Sequence, residues 1–325
     1  MITKDSHKLG WVFTDALKSS LQVPYSTLIL VDDSATDATR QLVKDFTNNY
    51  NKELIILGSR DITKFRAGMS DAKPTRAVAR QVAIDFFLQS MSDEWLMFLD
   101  DDAVLNDGWW GWVVKNQVLE DPSVGEVWGV NYDVDPAREK AMKALGIDLV
   151  DYLVRKFEAR GGTHDTLYRR DAISGVFIPP ELHVYEDAWL HHFVRCRGWN
   201  YVVNPVGVRH YSPWRIDMKK EMERLRLGIR VAVRYGIVEY ETMQEMKQAQ
   251  HKKVLAYLSL LRPILGLPLQ IYMRARAYGL KDGFKDAIKR QYLKLWFRYQ
   301  VLRTLRELQH TPDPCKNILA TQQGI

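Results

Sequence analysis

An α/β fold, with a mostly parallel sheet covered by helices on both faces, is the architecture this sequence predicts. Short apolar runs alternate with segments of helical spacing through its front half. Two of those runs, "STLILVDD" (26–33) and "WLMFLDDD" (95–102), end in acids, and in such sheets ligands bind beyond the carboxyl ends of the strands. The composition, 325 residues with 46% hydrophobic and 26% charged, belongs to a folded chain with room for one large domain plus an appendage, or two domains.

The elements follow in order. "ITKDS" (2–6) reads as the end of a strand and "WVFTDALKSSL" (11–21) as a helix. The 26–33 strand is followed by a helix over 35–50, and "KELIILGS" (52–59) is the next strand. Val78, Val82, Phe86 and Phe87 mark "KPTRAVARQVAIDFFLQSM" (73–91) as a helix leading into the 95–102 strand. "VGEVWGVNYDV" (124–134) is a further strand, Glu186-Asp187 opens a helix in "VYEDAWLHHF" (184–193), and His210 follows a short strand. No internal repeat or low-complexity tract is visible. Cys196 and Cys315 lie far apart without metal-ligand spacing, which predicts a reduced, cytosolic chain. The opening "MITKDSHKLG" has no apolar signal-like run.

Charge is unevenly placed. Over residues 247–306, 14 Lys and Arg face two acids, a net +12. The remainder after 306 adds −1, which leaves −5 on the first 246 residues within a total of +6. A strongly basic rear quarter on an acidic front calls for an anionic partner, a membrane surface or a nucleic acid.

The run Asp100-Asp101-Asp102 beside a hydrophobic strand is costly, because adjacent carboxylates repel and resist desolvation. That cost implies a cation or ligand. Five pieces now stand in one order: V-D-D-S-x-x-D-A-T (31–39), A-R-Q (79–81), F-L-D-D-D (98–102), E-D (186–187) and the late His210. Over roughly residues 3–236 this order resembles the family-2 nucleotide-sugar glycosyltransferases, which have the GT-A fold. The chain departs from that family at its start, where the first strand looks clipped and the nucleotide contacts near Thr3 are in doubt.

The resemblance implies a catalytic domain over 1–236, a basic amphipathic segment over 237–311 and a tail over 312–325. It also implies Mn²⁺ or Mg²⁺, for which hard oxygen ligands are suited. Asp102 would be the direct metal ligand, Asp100 would lie near ribose and metal, and His210 would ligate the metal or touch the diphosphate. Asp33, with Asp32 beside it, would accept a hydrogen bond from the nucleotide base, while Asp37 caps the following helix. Arg80 and Arg76 lie in the segment that passes over the diphosphate, and an Arg fork suits phosphate oxygens. Gly175 is a candidate contact to the donor sugar. Asp187 would be the base that takes the acceptor proton, with Glu186 as its neighbour. His191 and His192 read as packing or surface residues, and Trp109, Trp110 and Trp112 as core aromatics before a sugar platform.

The rear quarter bears on location. "VLAYLSLLRPILGLPLQIY" (254–272) nears the length of a membrane span, yet Arg262 sits in its middle and Pro263, Gly266 and Pro268 interrupt it. Ile288, Tyr292, Leu295, Tyr299, Leu302 and Leu305 form a helical stripe flanked by Lys285, Lys289, Lys294, Arg298 and Arg303. This is the pattern of a helix lying in a membrane interface. The expectation is an inverting, metal-dependent enzyme at the cytoplasmic membrane face. It would move a sugar from a UDP- or GDP-sugar to a hydroxyl of a lipid-linked or membrane-associated glycan. Transfer to polyprenyl phosphate is an alternative, with Arg226, Arg230 and Arg234 holding the phosphate. A reading of another class is a non-catalytic basic binder on a degenerate scaffold, engaging membrane or nucleic acid. No nucleic-acid module is recognisable, which lowers that reading.

Overall fold

The computed structural model describes residues 1–133, 143, 146, 148–158, 161–182, 184–211, 218–237, 263–307 and 313–323. It divides into two compact units. The first comprises Met1–Asp133, Gly161–Ser212 and Ile318–Ile325, and the second Val134–Arg160 and Pro213–Asn317. The chain is α/β as expected, with its sheets in the first unit.

Strands β1 (Ile2–Thr3), β2 (Thr27–Asp32) and β3 (Glu53–Leu57) form a parallel sheet in the order β1-β2-β3. Helix α1 (Trp11–Ser20) joins β1 to β2, and α2 (Ala38–Asn49) joins β2 to β3. After the short α3 (Ile62–Phe65), helix α4 spans Arg76–Ser90. Its first residue is set by Thr75, whose hydroxyl accepts the Val78 backbone N–H at 3.2 Å, a true N-cap.

A second sheet has the order β4-β7-β6-β8-β5. It contains β4 (Trp95–Leu99), β5 (Ala103–Leu105), β6 (Val124–Asp133), β7 (Asp165–Arg169) and β8 (Asn200–His210). Only β6 and β8 pair in parallel, while β4–β7, β6–β7 and β5–β8 are antiparallel. Two of the three antiparallel pairings involve β7, whose sequence "DTLYR" is too short and polar to signal a strand. Helix α5 (Trp109–Lys115) follows β5; α6 is Leu149–Glu158, α7 Arg170–Ile173 and α8 Glu186–Cys196.

One core joins the two sheets: Phe13 and Leu17 of α1, Leu28 and Leu30 of β2, Phe46 of α2, Leu99 of β4 and Leu167 of β7 pack together. Trp109 is fully buried there, and Trp110 and Trp112 lean on the same cluster, so these aromatics are core. Burying each such side chain contributes roughly 1.5–3 kcal/mol.

The second unit holds α9 (Met218–Tyr235), α10 (Leu267–Tyr278) and α11 (Leu280–Glu307). Helix α12 (Pro314–Gln323) closes the described chain. Within this unit Asp286 of α11 binds Arg274 of α10 at 2.5 Å and Arg290 at 2.9 Å. No described helix is long and apolar enough to cross a membrane. Much of the apolar run 254–272 lies outside the described residues. Both cysteines are disulfide-bonded, which corrects the expectation of a reduced chain.

Candidate active site

The two acid clusters stand where the apolar runs predict, at the ends of β2 and β4. Their surroundings differ. Asp32 is buried and spoken for: it accepts from the hydroxyls of Thr3 (2.7 Å) and Ser34 (2.5 Å), and Arg40 Nε lies 2.9 Å from its second oxygen. Asp33 accepts the Ser59 backbone N–H at 2.9 Å and the Ser59 hydroxyl. Both line a cavity of about 450 Å³ together with Lys4, Ser34, Arg40, Gly58, Arg60 and Pro74. Asp37 stands at the N-cap of α2 as expected, but its carboxylate makes no capping bond and pairs with Arg40 at 2.6 Å instead.

At the end of β4 the strands themselves assemble the second cluster. The β5–β8 register sets Ala103 opposite His210, and the Tyr211 N–H donates to the Asp102 carbonyl at 2.9 Å. His210 Nε2 therefore lies 3.0 Å from Asp102 Oδ1. One ligand atom from each of Asp100, Asp102 and His210 falls within 4.8 Å of the other two. Two carboxylate oxygens and an imidazole nitrogen are a donor set that fits Mn²⁺ or Mg²⁺.

Charge around this point is finely divided. Burial works to raise the Asp100 carboxyl, but Arg80, Arg76, His164 and His210 hold it below the usual range. Asp101 is pushed up to about 6, by burial first and then by the charges of Asp102 and Asp100, although Ser6 donates to it. Glu186 is pushed up, chiefly by burial, against the pull of Arg80.

Arg80 and Arg76, one turn apart at the start of α4, take different parts from those expected. Arg80 is buried between Asp100 (Nη2–Oδ1 3.3 Å) and Glu186 (Nε–Oε1 3.3 Å), so it ties the metal-type cluster to the acid pair. Arg76 is exposed and makes no ion pair among the described residues. Partial desolvation by the surrounding protein costs its charge something, yet Glu186, Asp100, Asp102 and Asp101 keep it more firmly protonated than usual. Among the described residues of this cluster, Arg76 is a cation open to a ligand.

Glu186 and Asp187 begin α8. Among the described residues, buried Glu186 has no partner for its Oε2, and half-buried Asp187 accepts only the Ala188 N–H, at 2.8 Å. Gly175 does not join this assembly. It follows Arg169, which pairs with Trp95 at the opposite end of β4 from Asp100, and its φ of 74° serves a turn.

Sequence reasoning missed the support behind the cluster. Asp165 pairs with Leu99 beside Asp100; its Oδ2 accepts the Trp109 indole N–H at 2.8 Å, and burial pushes its carboxyl well up. A Cβ at Gly129 would stand 1.7 Å from that oxygen, so only glycine fits there. His191 is a buried packing residue, as expected, and its Nδ1 also lies 2.7 Å from Glu126 Oε2. No local pattern advertises these pairs.

No family model matches the sequence, and no curated protein matches it. Among solved structures the chain is similar to the glucosyl-3-phosphoglycerate synthase of Mycobacterium tuberculosis in complex with Mn²⁺, UDP-glucose and glycerol 3-phosphate. The identity is 15% over 71% of this chain and 77% of that one, with a TM-score of 0.45. It is also similar to the mannosyltransferase PcManGT of Pyrobaculum calidifontis in complex with GDP-mannose and Mn²⁺, at 15% identity, covering 96% and 76%, TM-score 0.47. A third is S. aureus TarS, at 15% identity, covering 90% and 54%, TM-score 0.44. At such distances no activity passes from those proteins to this one, and function rests on the site.

Proposed function

We propose that the chain is an inverting, metal-dependent glycosyltransferase that moves a sugar from a nucleotide-diphosphate donor to a hydroxyl acceptor. The observation that carries this reading is the convergence of Asp100, Asp102 and His210 at the end of β4, joined through Arg80 to Glu186. Asp100, Asp102 and His210 would hold Mn²⁺ or Mg²⁺, which when bound neutralises charge on the departing diphosphate. Arg76 supplies a phosphate contact from the protein itself, and Asp33 offers its carboxylate to the base within the β2-end cavity. Asp187 takes the proton of the incoming hydroxyl, and Arg80 keeps Glu186 and Asp100 apart in charge while holding both in place.

The test is a panel of UDP-, GDP- and dTDP-sugars with the full chain, scored by release of the nucleoside diphosphate. Release with Mn²⁺ and its loss in excess EDTA support the reading. Undiminished release in EDTA overturns the metal assignment.

The acceptor in this reading is a sugar hydroxyl on a lipid-linked glycan, reached at a membrane surface. Two things support it: the acid pair, needed for a hydroxyl but not for an ionised phosphate, and the exposed face of the second unit. There Leu269 and Tyr272 of α10, and Leu280, Phe284, Ile288, Tyr292 and Tyr299 of α11, are exposed, beside exposed Lys281, Lys285 and Lys289. Leu295 and Leu302 of the expected stripe are half-buried, and the Leu305 side chain lies outside the described ones. Apolar side chains ringed by lysines fit an anionic bilayer surface. Sedimentation with anionic liposomes should be strong at low salt and partly lost at high salt; equal, salt-insensitive sedimentation with neutral liposomes counts against it. Exposed Arg226, Arg230 and Arg234 on α9 keep a polyprenyl-phosphate acceptor as the second reading.

A further inference from the structure

We infer that the buried pair Glu126–His191 is a positioning device that sets helix α8, and with it Asp187, at a fixed height and rotation on the sheet. The inference rests on the reading of Asp187 as the proton acceptor. Glu126 lies in β6, fully buried, with Tyr168 of β7 and Tyr201 of β8 as its register partners. These three side chains form a row across three strands. His191 docks on that row: its Nδ1 is 2.7 Å from Glu126 Oε2, and its ring meets Tyr201 edge-on at 5.1 Å. The Tyr168 hydroxyl donates to the other Glu126 oxygen at 3.3 Å.

Asp187 precedes His191 by four residues, so the two share one helix face a turn apart. The same stretch is pressed from another side by Gly161. A Cβ there would lie 2.3 Å from the His191 Cβ and 3.3 Å from the Asp187 carbonyl oxygen, and its φ is 67°. Well-packed apolar residues would hold α8 to the sheet at no greater cost, since a buried polar pair gives back much of its attraction in desolvation. What a short directional bond adds is register: apolar surfaces tolerate sliding, and a 2.7 Å contact does not. A base that must meet an acceptor hydroxyl within hydrogen-bond reach needs that restraint.

The deciding variant is Glu126→Leu/His191→Leu in a Tyr168→Phe background, which removes the pair together with the hydroxyl that Glu126 accepts and leaves no partner stranded. Three quantities are read on the full chain: melting temperature, amide exchange over residues 186–191, and Mn²⁺-dependent hydrolysis of UDP-glucose and GDP-mannose, where water takes the acceptor's place. The expected result is a melting temperature near wild type, faster exchange in the first turns of α8, and a kcat lower by about 10²-fold with donor KM unchanged. Glu126→Gln, which still accepts from the imidazole, should restore most of the turnover. Wild-type exchange and kcat in the deciding variant overturn the inference. Asp187→Asn at wild-type kcat would instead overturn the assignment of the base. The exchange measurement, which needs no donor, still decides whether the pair fixes the helix.

Discussion

The acid clusters at the ends of β2 and β4 look alike in sequence and have opposite fates. At β2, Asp32 spends its carboxylate inward on Thr3, Ser34 and Arg40. At β4, Asp100 and Asp102 have like-charged Asp101 between them and converge with His210. The difference lies in what packs against each strand end. Two hydroxyls satisfy one oxygen of Asp32 and a guanidinium faces the other, whereas the second cluster brings three ligand atoms within 4.8 Å of one another. Strand-end acids are therefore either structure or site according to their partners, and the distinction can be broken experimentally.

The largest effect is expected at the β4 end. Asp102→Asn should lower Mn²⁺-dependent donor turnover by about 10³-fold or more, the rate equivalent of several kcal/mol, with melting unchanged. Asp32→Asn should keep turnover within a few-fold; equal losses in both variants would erase the contrast drawn here.

Next comes the pair on α4. Arg76→Ala should raise donor KM by about 10–100-fold, the equivalent of one charged hydrogen bond, without loss of fold. Arg80→Ala should instead lower the melting temperature, because Glu186 and Asp100 lose the cation between them. Reversed phenotypes would return the diphosphate contact to Arg80.

Asp32→Ala leaves the buried Thr3 hydroxyl without its acceptor and the Ser34 hydroxyl with only the longer bond to Thr39, at about 1–3 kcal/mol of stability. Thermal denaturation should show a fall of several degrees. An unchanged melting temperature would mean that Asp32 is not structural.

The smallest effect concerns Asp101 in metal-free protein. Its folded pKa is raised from the ordinary 3.8 to about 6, so the folded state favours the protonated form. Stability from this group is present at low pH and is lost as pH rises through about 4 to about 6. Asp101→Asn should thus melt a few degrees higher than wild type at neutral pH and equally at acid pH. A difference of the opposite sign would show that Ser6 and Arg76 outweigh burial.

Much of the fold was legible because its elements announce themselves locally. The apolar runs 26–33 and 95–102 became β2 and β4, and the spacing in 73–91 became α4. Strand β7 was not legible, since "DTLYR" is short and polar and gains its burial only from β4 and β6. Gly175 was misread because a small residue near the acid pair in sequence lies at the far end of β4 in space. His191 was legible as a packing residue, but its partner Glu126, 65 residues away, was not.

The sequence by itself determined which chemistries are within reach: carboxylates at strand ends, a late histidine, an acid pair opening a helix, and a basic rear quarter. Those are local facts, set by residue type and periodicity. The tertiary structure decided which of the groups meet. The β5–β8 register put His210 beside Asp102, the N-cap at Thr75 phased α4 so that Arg80 is buried and Arg76 exposed, and the Glu126–His191 bond seated α8. Each of these depends on contacts between distant segments, whose geometry is chosen by packing and register and leaves no trace in the spacing of neighbouring residues.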